Sequence, residues 1–445
     1  MTSRPMQTYY FIGIGGVGMS ALARWCVHKG NIVVGYDRTP SETTRQLEEE
    51  GIAVIFEDSI EALPMQVLGK EVHVIYTSAI PQHHPQLRYF IEQGNSVKKR
   101  ALFLAECCAG KTTLAVAGTH GKTTTSLFLT HLLAQTDLAF TSIMGGFFNP
   151  SQSNLMYRGD DIMVVEADEY DRSFLHLHPA VAAITYMESD HLDIYKTEHA
   201  FKEAFVQFSK QVKQTLVVSE AIALPGITYG FSKKADYKIS EIRNHAAGHT
   251  FTLTTPSEVY SGIEINQFGK HNIANATCAV AMAEQIGISA AGVLDALATF
   301  PGVYRRMNRH VWENRIIIDD YAHHPTEINS VFETVKNCFP KQKNCVVFQP
   351  HLFSRTRDFF DDFVSVLARF DEVILTPIYP ARELPIPGIS SEKLLAALPH
   401  KNKKCIEKSE LQDALRKSEA TLVAVLGAGD IGLEIEKFKI DLKPI

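Results

Sequence analysis

Short apolar runs, rich in branched residues, alternate along the chain with longer segments whose apolar residues recur every three or four positions. The short runs predict buried parallel strands, because a strand covered on both faces needs no polar side. The longer segments, such as residues 21–29 and 124–133, predict amphipathic helices. Their alternation predicts an α/β fold with parallel sheets. The predicted strands are 9–13, 32–36, 72–76, 113–117, 161–166, 180–185, 315–319, 345–348, 373–375 and 421–426.

The chain has 445 residues, which is too long for a single hydrophobic core. We predict three α/β domains, over residues 1–108, 109–301 and 302–445. The second boundary falls in the stretch from Phe300 to Arg306, whose Pro and Gly are typical of an interdomain linker.

Charge and composition restrict the class of protein. The formal net charge of −6 comes from both signs scattered along the chain, which does not favour nucleic-acid binding. No apolar run approaches the roughly 20 residues of a membrane span, and the polar N-terminus leaves no room for a signal peptide before the first strand. Seven cysteines, an odd number, indicate reduced thiols. We therefore expect a cytoplasmic monomer or weak homodimer, with no nucleic-acid partner and no membrane insertion.

Residues 115–125, Ala-Val-Ala-Gly-Thr-His-Gly-Lys-Thr-Thr-Thr, join a predicted strand to a predicted helix. This order is typical of a phosphate-binding loop, where backbone N–H groups and the helix N-terminus face an anion. Lys122 would neutralise the phosphates, and the Thr123 hydroxyl would ligate Mg²⁺. Val116 replaces the first Gly of the common pattern, so the strand–loop–helix context carries the prediction. The candidate loop residues are Gly118, Thr119, His120, Gly121, Lys122, Thr123 and Thr124.

A similar tetrapeptide, Gly-Lys-Thr-Thr at 110–113, lies just upstream. It follows a predicted helix and precedes a strand, which is the reverse of the order that a phosphate-binding loop requires. We therefore predict that Lys111 lies on a connecting loop and does not bind phosphate.

A Gly-rich turn, Gly-Ile-Gly-Gly-Val-Gly-Met-Ser at 13–20, follows the first strand, and Asp37 follows the second. This βαβ pattern favours a nucleotide diphosphate on the turn and a ribose on the acid, although a tight turn without ligand would look the same. Ser78 lies beyond another strand, where ligands of open α/β sheets gather. The candidate residues are Gly15, Gly16, Val17, Gly18, Asp37 and Ser78.

Carboxylates follow a predicted strand of the central domain. Glu166 ends that strand and is well placed to hold Mg²⁺ opposite the phosphate-binding loop. His191, in the acidic stretch after the next strand, is a candidate second metal ligand or a structural histidine.

Later motifs suggest further contacts to nucleotide and to a small charged substrate. Asn272 and Asn275 lie three residues apart at the start of a helix, which suits either recognition of a base edge or helix capping. In the third domain, strand ends carry His, Arg and Asp residues. The alternative for Arg355 and its neighbours is a set of ion pairs on a helix surface. The strand-end residues are Asp319, Asp320, Tyr321, His323, His324, His351, Arg355 and Arg357.

A diphosphate site, a magnesium–nucleotide site and a polar pocket together favour ATP-driven activation of a carboxylate and its capture by an amine. Catalysis of such a transfer is mostly positioning and charge neutralisation, which agrees with the absence of an obvious nucleophile.

The chain resembles the Mur ligase family over its whole length, in seven motifs that occur in the family's order. Within the family it is most similar to the branch that adds L-alanine to UDP-N-acetylmuramate. The motifs are the Gly-rich turn at 13–20, Ala-Gly-Thr-His-Gly-Lys-Thr-Thr at 117–124, Glu-Ala-Asp-Glu at 166–169, Asp-His-Leu-Asp at 190–193, His-Asn-Ile-Ala-Asn at 271–275, Asp-Asp-Tyr-Ala-His-His-Pro-Thr-Glu at 319–327, and Gln-Pro-His at 349–351 with Arg-Thr-Arg at 355–357.

The resemblance implies an N-terminal Rossmann-like domain for the UDP substrate, a central P-loop ATPase domain and a C-terminal Rossmann-like domain for the amino acid. It implies Mg²⁺ (or Mn²⁺), ATP as co-substrate, and UDP-N-acetylmuramate and L-alanine as substrates of peptidoglycan synthesis. The implied catalytic residues are Lys122, Glu166, His191 and His323, and the implied metal ligands are Thr123, Glu166 and His191. The implied ATP contacts, besides the phosphate-binding loop, are Asn272, Arg306 and Asp320. The implied amino-acid contacts are Tyr321, His323, His351 and Arg355.

Two departures from relatives refine these expectations. Relatives that add later residues carry a carbamylated lysine where this chain has Ala204 and Phe205, so we predict no carbamylation. Leu352 stands where many relatives have Arg, so any role of that Arg is dropped or moves to Arg355.

Three alternatives remain at this stage. A recycling ligase of the same family would attach a whole tripeptide to UDP-N-acetylmuramate. A nicotinamide-dependent dehydrogenase would use the N-terminal turn and Asp37 but leaves Lys122 and Glu166 without a role. A nucleotide-dependent switch would leave the polar strand ends of the third domain unexplained.

Overall fold

A computed structural model describes residues 5–69, 71–148, 153–188, 195, 197–245, 248–381 and 383–437. These residues form two compact units. The first comprises residues 1–240, 252–263 and 274–300, and the second comprises 241–251, 264–273 and 301–445. Among the described residues, no helix is long and apolar enough to cross a membrane.

A five-stranded parallel sheet with the order β3-β2-β1-β4-β5 opens the first unit. The strand order reverses beside β1. Ligands of such sheets bind at the carboxyl ends of the strands next to this point of reversal. The Gly-rich turn connects β1 to α1 at this edge. The elements are β1 (Thr8–Ile12), α1 (Val17–His28), β2 (Ile32–Tyr36), α2 (Glu42–Glu49), β3 (Ala53–Ile55), β4 (Val72–Tyr76), α3 (Pro85–Glu92), β5 (Ser96–Lys99) and α4 (Arg100–Cys108).

The second sheet has ten strands in the order β15-β14-β13-β12-β11-β10-β6-β9-β7-β8. Fully buried apolar side chains make up most of β6, which lies between β10 and β9, so the loop after β6 and the carboxylate that ends β9 are neighbours. The elements are β6 (Thr112–Ala117), α5 (Lys122–Leu133), β7 (Phe140–Ile143), β8 (Leu155–Tyr157), β9 (Ile162–Glu166), β10 (Val181–Ile184), α6 (Glu198–Gln211), β11 (Thr215–Ser219), β12 (Ile227–Gly230), β13 (Tyr237–His245), β14 (Gly248–Thr254), β15 (Val259–Ile265) and α7 (Lys270–Glu284).

A six-stranded sheet with the order β16-β17-β21-β18-β19-β20 lies in the second unit, and it is parallel except for the edge strand β16. The carboxyl ends of β17, β21 and β18 therefore meet at one edge. The elements are β16 (Asn308–Trp312), β17 (Arg315–Asp320), α8 (Pro325–Cys338), β18 (Asn344–Phe348), α9 (Phe353–Asp358), α10 (Phe360–Leu367), β19 (Glu372–Leu375), α11 (Ser391–Ala397), β20 (Lys403–Cys405), α12 (Leu411–Arg416), β21 (Leu422–Leu426) and α13 (Ile431–Lys437).

The α/β fold with parallel sheets is confirmed, and every predicted strand is present within one or two residues. The sequence patterns did not predict β3, β5, β7, β8, β11 to β16 or β20. In β13 and β15 buried residues alternate with exposed ones, so these strands lack the continuous apolar runs on which the predictions relied. The predicted boundaries after residues 108 and 301 stay predictions.

Candidate active site

The loop between β6 and α5 has the backbone of an anion-binding turn. Gly118 and Gly121 have φ values of +132° and +84°, and α5 begins directly at Lys122. A Cβ atom on Gly118 would lie 2.8 Å from the backbone nitrogen of Tyr186, and one on Gly121 would lie 2.6 Å from Asn275 Oδ1. Both positions therefore require glycine. The seven candidate loop residues lie together on this turn and the first turn of α5.

Lys122 forms a buried ion pair with Glu169. Its Nζ donates to both Glu169 carboxylate oxygens, at 2.8 and 2.9 Å, and to the Gly118 carbonyl at 2.6 Å. Burial alone would lower the pKa of Lys122, but the charges of Glu169 and Asp168 outweigh it and raise that pKa. The lysine is therefore held as a cation, with a carboxylate occupying the position that suits an anionic ligand.

Glu166, at the end of β9, faces the start of α5. Its Oε2 accepts a hydrogen bond from Thr123 Oγ1 at 3.1 Å, and its Oε1 accepts one from the Gly145 N–H at 2.7 Å. Burial raises the pKa of Glu166. A partly buried carboxylate beside a hydroxyl supplies the hard oxygen ligands that Mg²⁺ prefers, so these residues fit the predicted metal. His191 lies outside the described residues.

The Gly-rich turn lies between β1 and α1. Gly13 has a φ of +87°, and the Gly15 N–H donates to Asp37 Oδ2 at 2.8 Å. A Cβ atom on Gly15 would lie 2.8 Å from that same oxygen, so the turn can approach Asp37 only because the residue is glycine. Ser78 is exposed just beyond β4. The predicted UDP-site residues are thus gathered at the carboxyl edge of the first sheet.

A cavity of about 330 Å³ connects the Gly-rich turn with the phosphate-binding loop. Gly16, Val17 and Gly18 line one part of it, and Lys122 and Glu166 line another. Its other lining residues are Met19, Thr77, Arg100, Leu104, Ile143, Met144, Gly145 and Asp168. Two sites that sequence analysis predicted separately therefore open into one space.

Arg100, which begins α4, contributes a cation to this cavity. Its Nη2 lies 3.3 Å from Asp168 Oδ2, and a Cβ atom on Gly18 would lie 2.9 Å from its Nη1. The guanidinium is therefore beside both the Gly-rich turn and the acidic end of β9. Arg100 and Asp168 therefore bring an ion pair to the wall of the cavity.

The predicted nucleotide contacts of the second unit lie near its first strands. Asn272, in the first turn of α7, donates its side-chain amide to the Phe268 carbonyl at 2.7 Å. This bond is not a helix cap, because a capping side chain accepts a backbone N–H. Asp320, at the end of β17, is buried, and its carboxylate accepts the Met307 and Ala322 N–H groups at 2.7 Å each. Burial raises the pKa of Asp320, and Arg306 opposes that rise.

Aromatic side chains and Arg355 form the predicted amino-acid pocket. The ring centroid of His323 lies 5.5 Å from that of Tyr321 and 5.8 Å from that of His351. Tyr379 stacks on His351 at 5.6 Å, and Arg355 Nη1 lies 3.4 Å from His351 Nδ1. The four predicted residues are thus adjacent. Arg357, by contrast, pairs with its neighbour Asp358 at 2.7 Å.

His323 should make the stability of the fold depend on pH. Burial lowers its pKa to about 4; Glu327 opposes this, while Arg355 and Arg306 reinforce it. Between pH 6.5 and 4 the unfolded chain would bind a proton at His323 that the folded chain does not bind. The contribution of the uncharged His323 to the free energy of unfolding is therefore complete above pH 6.5 and is lost as pH falls towards 4.

We expect the melting temperature of His323→Gln to fall less between pH 7.5 and 5 than that of the unmodified protein, by about 2–4 °C. Thermal unfolding followed by circular dichroism at both values would measure this. The difference in melting temperature between the two proteins at pH 7.5 is the baseline, because it measures the packing that the substitution itself removes. Equal decreases in both proteins would contradict the assignment.

Sequence analysis missed four residues that the structure adds to these sites. Glu169 and Asp168 belong to an acidic run in which only Glu166 is a predicted ligand, and their role depends on where each side chain points. Arg100 belongs to a Lys-Lys-Arg run that resembles a solvated face. Tyr379 follows β19 without any motif. Asp168 and Glu169 do fall within the motif at 166–169, but no local signal marks Arg100 or Tyr379.

Family models match three consecutive parts of the chain. The Mur ligase family catalytic domain matches residues 8–112, the Mur ligase middle domain 116–283, and the Mur ligase glutamate ligase domain 305–431. The UDP-N-acetylmuramate–L-alanine ligase of Christiangramia forsetii is 46% identical, over 98% of this chain and 97% of that protein. The chain belongs to the Mur ligase family. The enzyme of the same name from Flavobacterium psychrophilum is 45% identical to this Mur ligase, over 99% of each chain.

Solved structures agree with the fold of this Mur ligase. The UDP-N-acetylmuramate–alanine ligase of Thermotoga maritima has a TM-score of 0.84 at 28% identity, covering 97% of this chain and 98% of that one. A murein peptide ligase from Psychrobacter arcticus has a TM-score of 0.72 at 21% identity, with the same coverage of each chain, and shows the fold alone. The predicted three-domain α/β architecture is confirmed.

Proposed function

We propose that this Mur ligase joins L-alanine to the lactyl carboxylate of UDP-N-acetylmuramate with hydrolysis of ATP to ADP and phosphate, in peptidoglycan precursor synthesis. The observation that carries the proposal is the single cavity shared by the Gly-rich turn and the phosphate-binding loop. Relatives between 38% and 46% identical that share the name UDP-N-acetylmuramate–L-alanine ligase favour alanine as the amino acid.

The reaction proceeds in two transfers. A lactyl carboxylate oxygen attacks the γ-phosphorus of ATP, the bond from that phosphorus to the β-phosphate oxygen breaks, and ADP leaves. The uncharged amine of alanine then attacks the carbonyl carbon of the acyl phosphate, and the bond from that carbon to the phosphate oxygen breaks. One proton leaves the nitrogen with the departing phosphate, and an amide bond remains. Both transfers require charge neutralisation and alignment, which a site of Lys, Arg and acidic side chains provides.

The phosphate-binding loop takes the ATP phosphates, and Lys122 turns from Glu169 towards them. The Thr123 hydroxyl and the Glu166 carboxylate are the described residues that would hold Mg²⁺ or Mn²⁺, which would neutralise phosphate charge when bound. His191 is proposed as a further ligand on the family resemblance alone. Asn272, Arg306 and Asp320 are proposed to contact the nucleotide.

The Gly-rich turn, Asp37 and Ser78 bind the UDP portion, so that the lactyl group extends into the cavity towards Lys122. Tyr321, His323, His351 and Arg355 bind alanine, with Arg355 available to pair with its carboxylate. At neutral pH the lowered pKa of His323 leaves its imidazole uncharged. We expect the enzyme to work in the cytoplasm as a monomer or weak homodimer.

Arg100 should contribute to binding of the anionic UDP substrate. We expect Arg100→Ala to raise the KM for UDP-N-acetylmuramate about tenfold and the KM for ATP less than threefold, because its guanidinium lies beside the Gly-rich turn. Steady-state kinetics with each substrate varied would measure this. Arg88→Ala, which removes an exposed arginine paired with Glu92 on α3, is the control. A larger change in the KM for ATP would contradict the assignment.

The experiment that tests the function is phosphate release from Mg²⁺–ATP and UDP-N-acetylmuramate with L-alanine, with L-alanyl-γ-D-glutamyl-meso-diaminopimelate, or with no acceptor. Stimulation by alanine alone supports the proposal. Stimulation by the tripeptide alone would assign the recycling activity instead. No stimulation by either acceptor would contradict ligation.

A further inference from the structure

Asn154 links the second sheet to the helix α1. Its backbone is hydrogen-bonded beside β7 and β8, and its side chain is hydrogen-bonded to α1. It directly precedes β8, and it is completely buried. Its Nδ2 donates to the Val17 carbonyl at 2.7 Å and to Ser20 Oγ at 2.9 Å, and its Oδ1 accepts from Arg24 Nη1 at 2.5 Å. One amide thus holds the first two turns of α1, the helix that begins at the Gly-rich turn.

The partners of this amide are themselves fixed. Arg24 is only 6% exposed, and its Nε donates to both carboxylate oxygens of Glu50, at 2.7 and 3.0 Å. Ser20 Oγ donates to the Val17 carbonyl at 3.0 Å. A buried polar network whose members are paired in this way has one preferred geometry, since any shift leaves a buried group unsatisfied.

The backbone of Asn154 leads to the opposite side of the cavity. Its carbonyl accepts the Met144 N–H at 3.0 Å, beyond the antiparallel pair formed by β7 and β8. Gly145, which follows Met144, donates its N–H to Glu166 Oε1 at 2.7 Å. Glu166 Oε2 in turn accepts a hydrogen bond from Thr123 Oγ1 at 3.1 Å. A continuous series of hydrogen bonds therefore joins α1 to the start of α5.

We propose that Asn154 is a positioning residue that sets the separation between the Gly-rich turn and the phosphate-binding loop. The proposal rests on the proposed function, because this separation decides whether the lactyl carboxylate reaches the γ-phosphate across the cavity. A displacement of about 1 Å between reacting groups costs on the order of 10²-fold in rate. Asn154 is completely buried and is not among the residues that line the cavity, so its effect should appear in the transfer step and little in the binding of either ligand alone.

The test compares the rate of the reaction with the affinity for each ligand. We expect Asn154→Ala to lower kcat about 30- to 100-fold, since the two sites lose their alignment. Calorimetry should show Kd values for UDP-N-acetylmuramate alone, and for a non-hydrolysable ATP analogue with Mg²⁺ alone, within about threefold of the unmodified enzyme. Trapping the acyl phosphate with hydroxylamine should show the same loss, which places the defect in the first transfer.

Ser142→Ala is the matched control. Ser142 lies on β7 and is completely buried, and it accepts a hydrogen bond from Thr130 Oγ1 at 2.9 Å without any bond to α1 among the described residues. Its loss removes a buried polar contact from the same strand pair and should leave kcat within about twofold. Ser20→Ala is a milder second variant. It deletes one partner of the Asn154 amide and should lower kcat about threefold with both Kd values unchanged.

Three results would overturn the proposal. The first is an unchanged kcat in folded Asn154→Ala, or in Ser20→Ala if the first variant does not fold. The second is a Kd for UDP-N-acetylmuramate that rises as much as kcat/KM falls, which would reduce Asn154 to local support of α1. The third is an equal loss of kcat in Ser142→Ala. Failure of the proposed function is distinct, because the unmodified enzyme would then release no phosphate with alanine.

Discussion

Replacement of Lys122 by Ala should lower kcat by about 10³-fold or more while leaving the Kd for UDP-N-acetylmuramate within about threefold. The ammonium is the cation at the start of α5, and loss of one preorganised charge at transferring phosphate costs on this order. The proposed UDP-binding residues, by contrast, lie on the Gly-rich turn and after β2 and β4. Phosphate release and calorimetry on the same preparation would measure both quantities.

The control is Lys111→Ala, which changes the lysine of the upstream Gly-Lys-Thr-Thr sequence. As predicted, Lys111 lies on the loop between α4 and β6, where its Nζ is 3.4 Å from Asp160 and 5.0 Å from the centre of the Trp25 ring. It contacts no residue of the phosphate-binding loop among its described partners. We expect kcat within about twofold, and a large loss would contradict the assignment of phosphate binding to residues 118–124.

Lys122→Ala also removes the cation that pairs with the buried carboxylate of Glu169, and breaking a buried ion pair destabilises a fold by about 3–5 kcal/mol in measured cases. The double variant Lys122→Ala/Glu169→Gln removes that charge. It should recover the melting temperature without recovering turnover, which separates the chemical role of Lys122 from its structural one. Recovery of turnover in the double variant would show that Lys122 acts only by neutralising Glu169.

Replacement of Glu166 by Gln should lower kcat about 10²- to 10³-fold and raise the Mg²⁺ concentration needed for half-maximal activity. Gln keeps the size of the side chain and an oxygen that can accept the Gly145 N–H, so the fold should persist while the charge that favours a divalent cation is lost. Kinetics over a Mg²⁺ titration would measure this. Binding of Mn²⁺ to the nucleotide complex, followed by electron paramagnetic resonance, should weaken in parallel.

Asp161→Asn is the matched control. Asp161 is an exposed carboxylate that directly precedes the first residue of β9, whereas Glu166 is the last residue of that strand. We expect the Mg²⁺ dependence and kcat of this variant to match those of the unmodified enzyme within about twofold. If Glu166→Gln retained its Mg²⁺ dependence, the carboxylate of Glu166 would not be a ligand of the metal.

Local patterns sufficed to predict the α/β fold and the central strands of its three sheets, and they indicated two candidate phosphate sites. A continuous apolar run identifies a buried strand, and Gly followed by Lys-Thr at the start of a helix identifies an anion site, because both depend on residues that are neighbours along the chain. The strand β6, the turn at Gly118 and Gly121, and the start of α5 at Lys122 follow from about twenty consecutive residues.

Tertiary structure alone decided what surrounds these motifs. Lys122 meets Glu169 and Val17 meets Asn154 although 47 and 137 residues separate them along the chain. These contacts depend on the strand order β10-β6-β9-β7-β8 and on the direction of each side chain at a strand end. The same dependence explains why Arg100, in a basic run, faces the cavity. The periodicity of apolar residues indicates which side of a helix or strand is buried. It does not indicate which distant element covers that side, because this depends on how the sheets and helices pack.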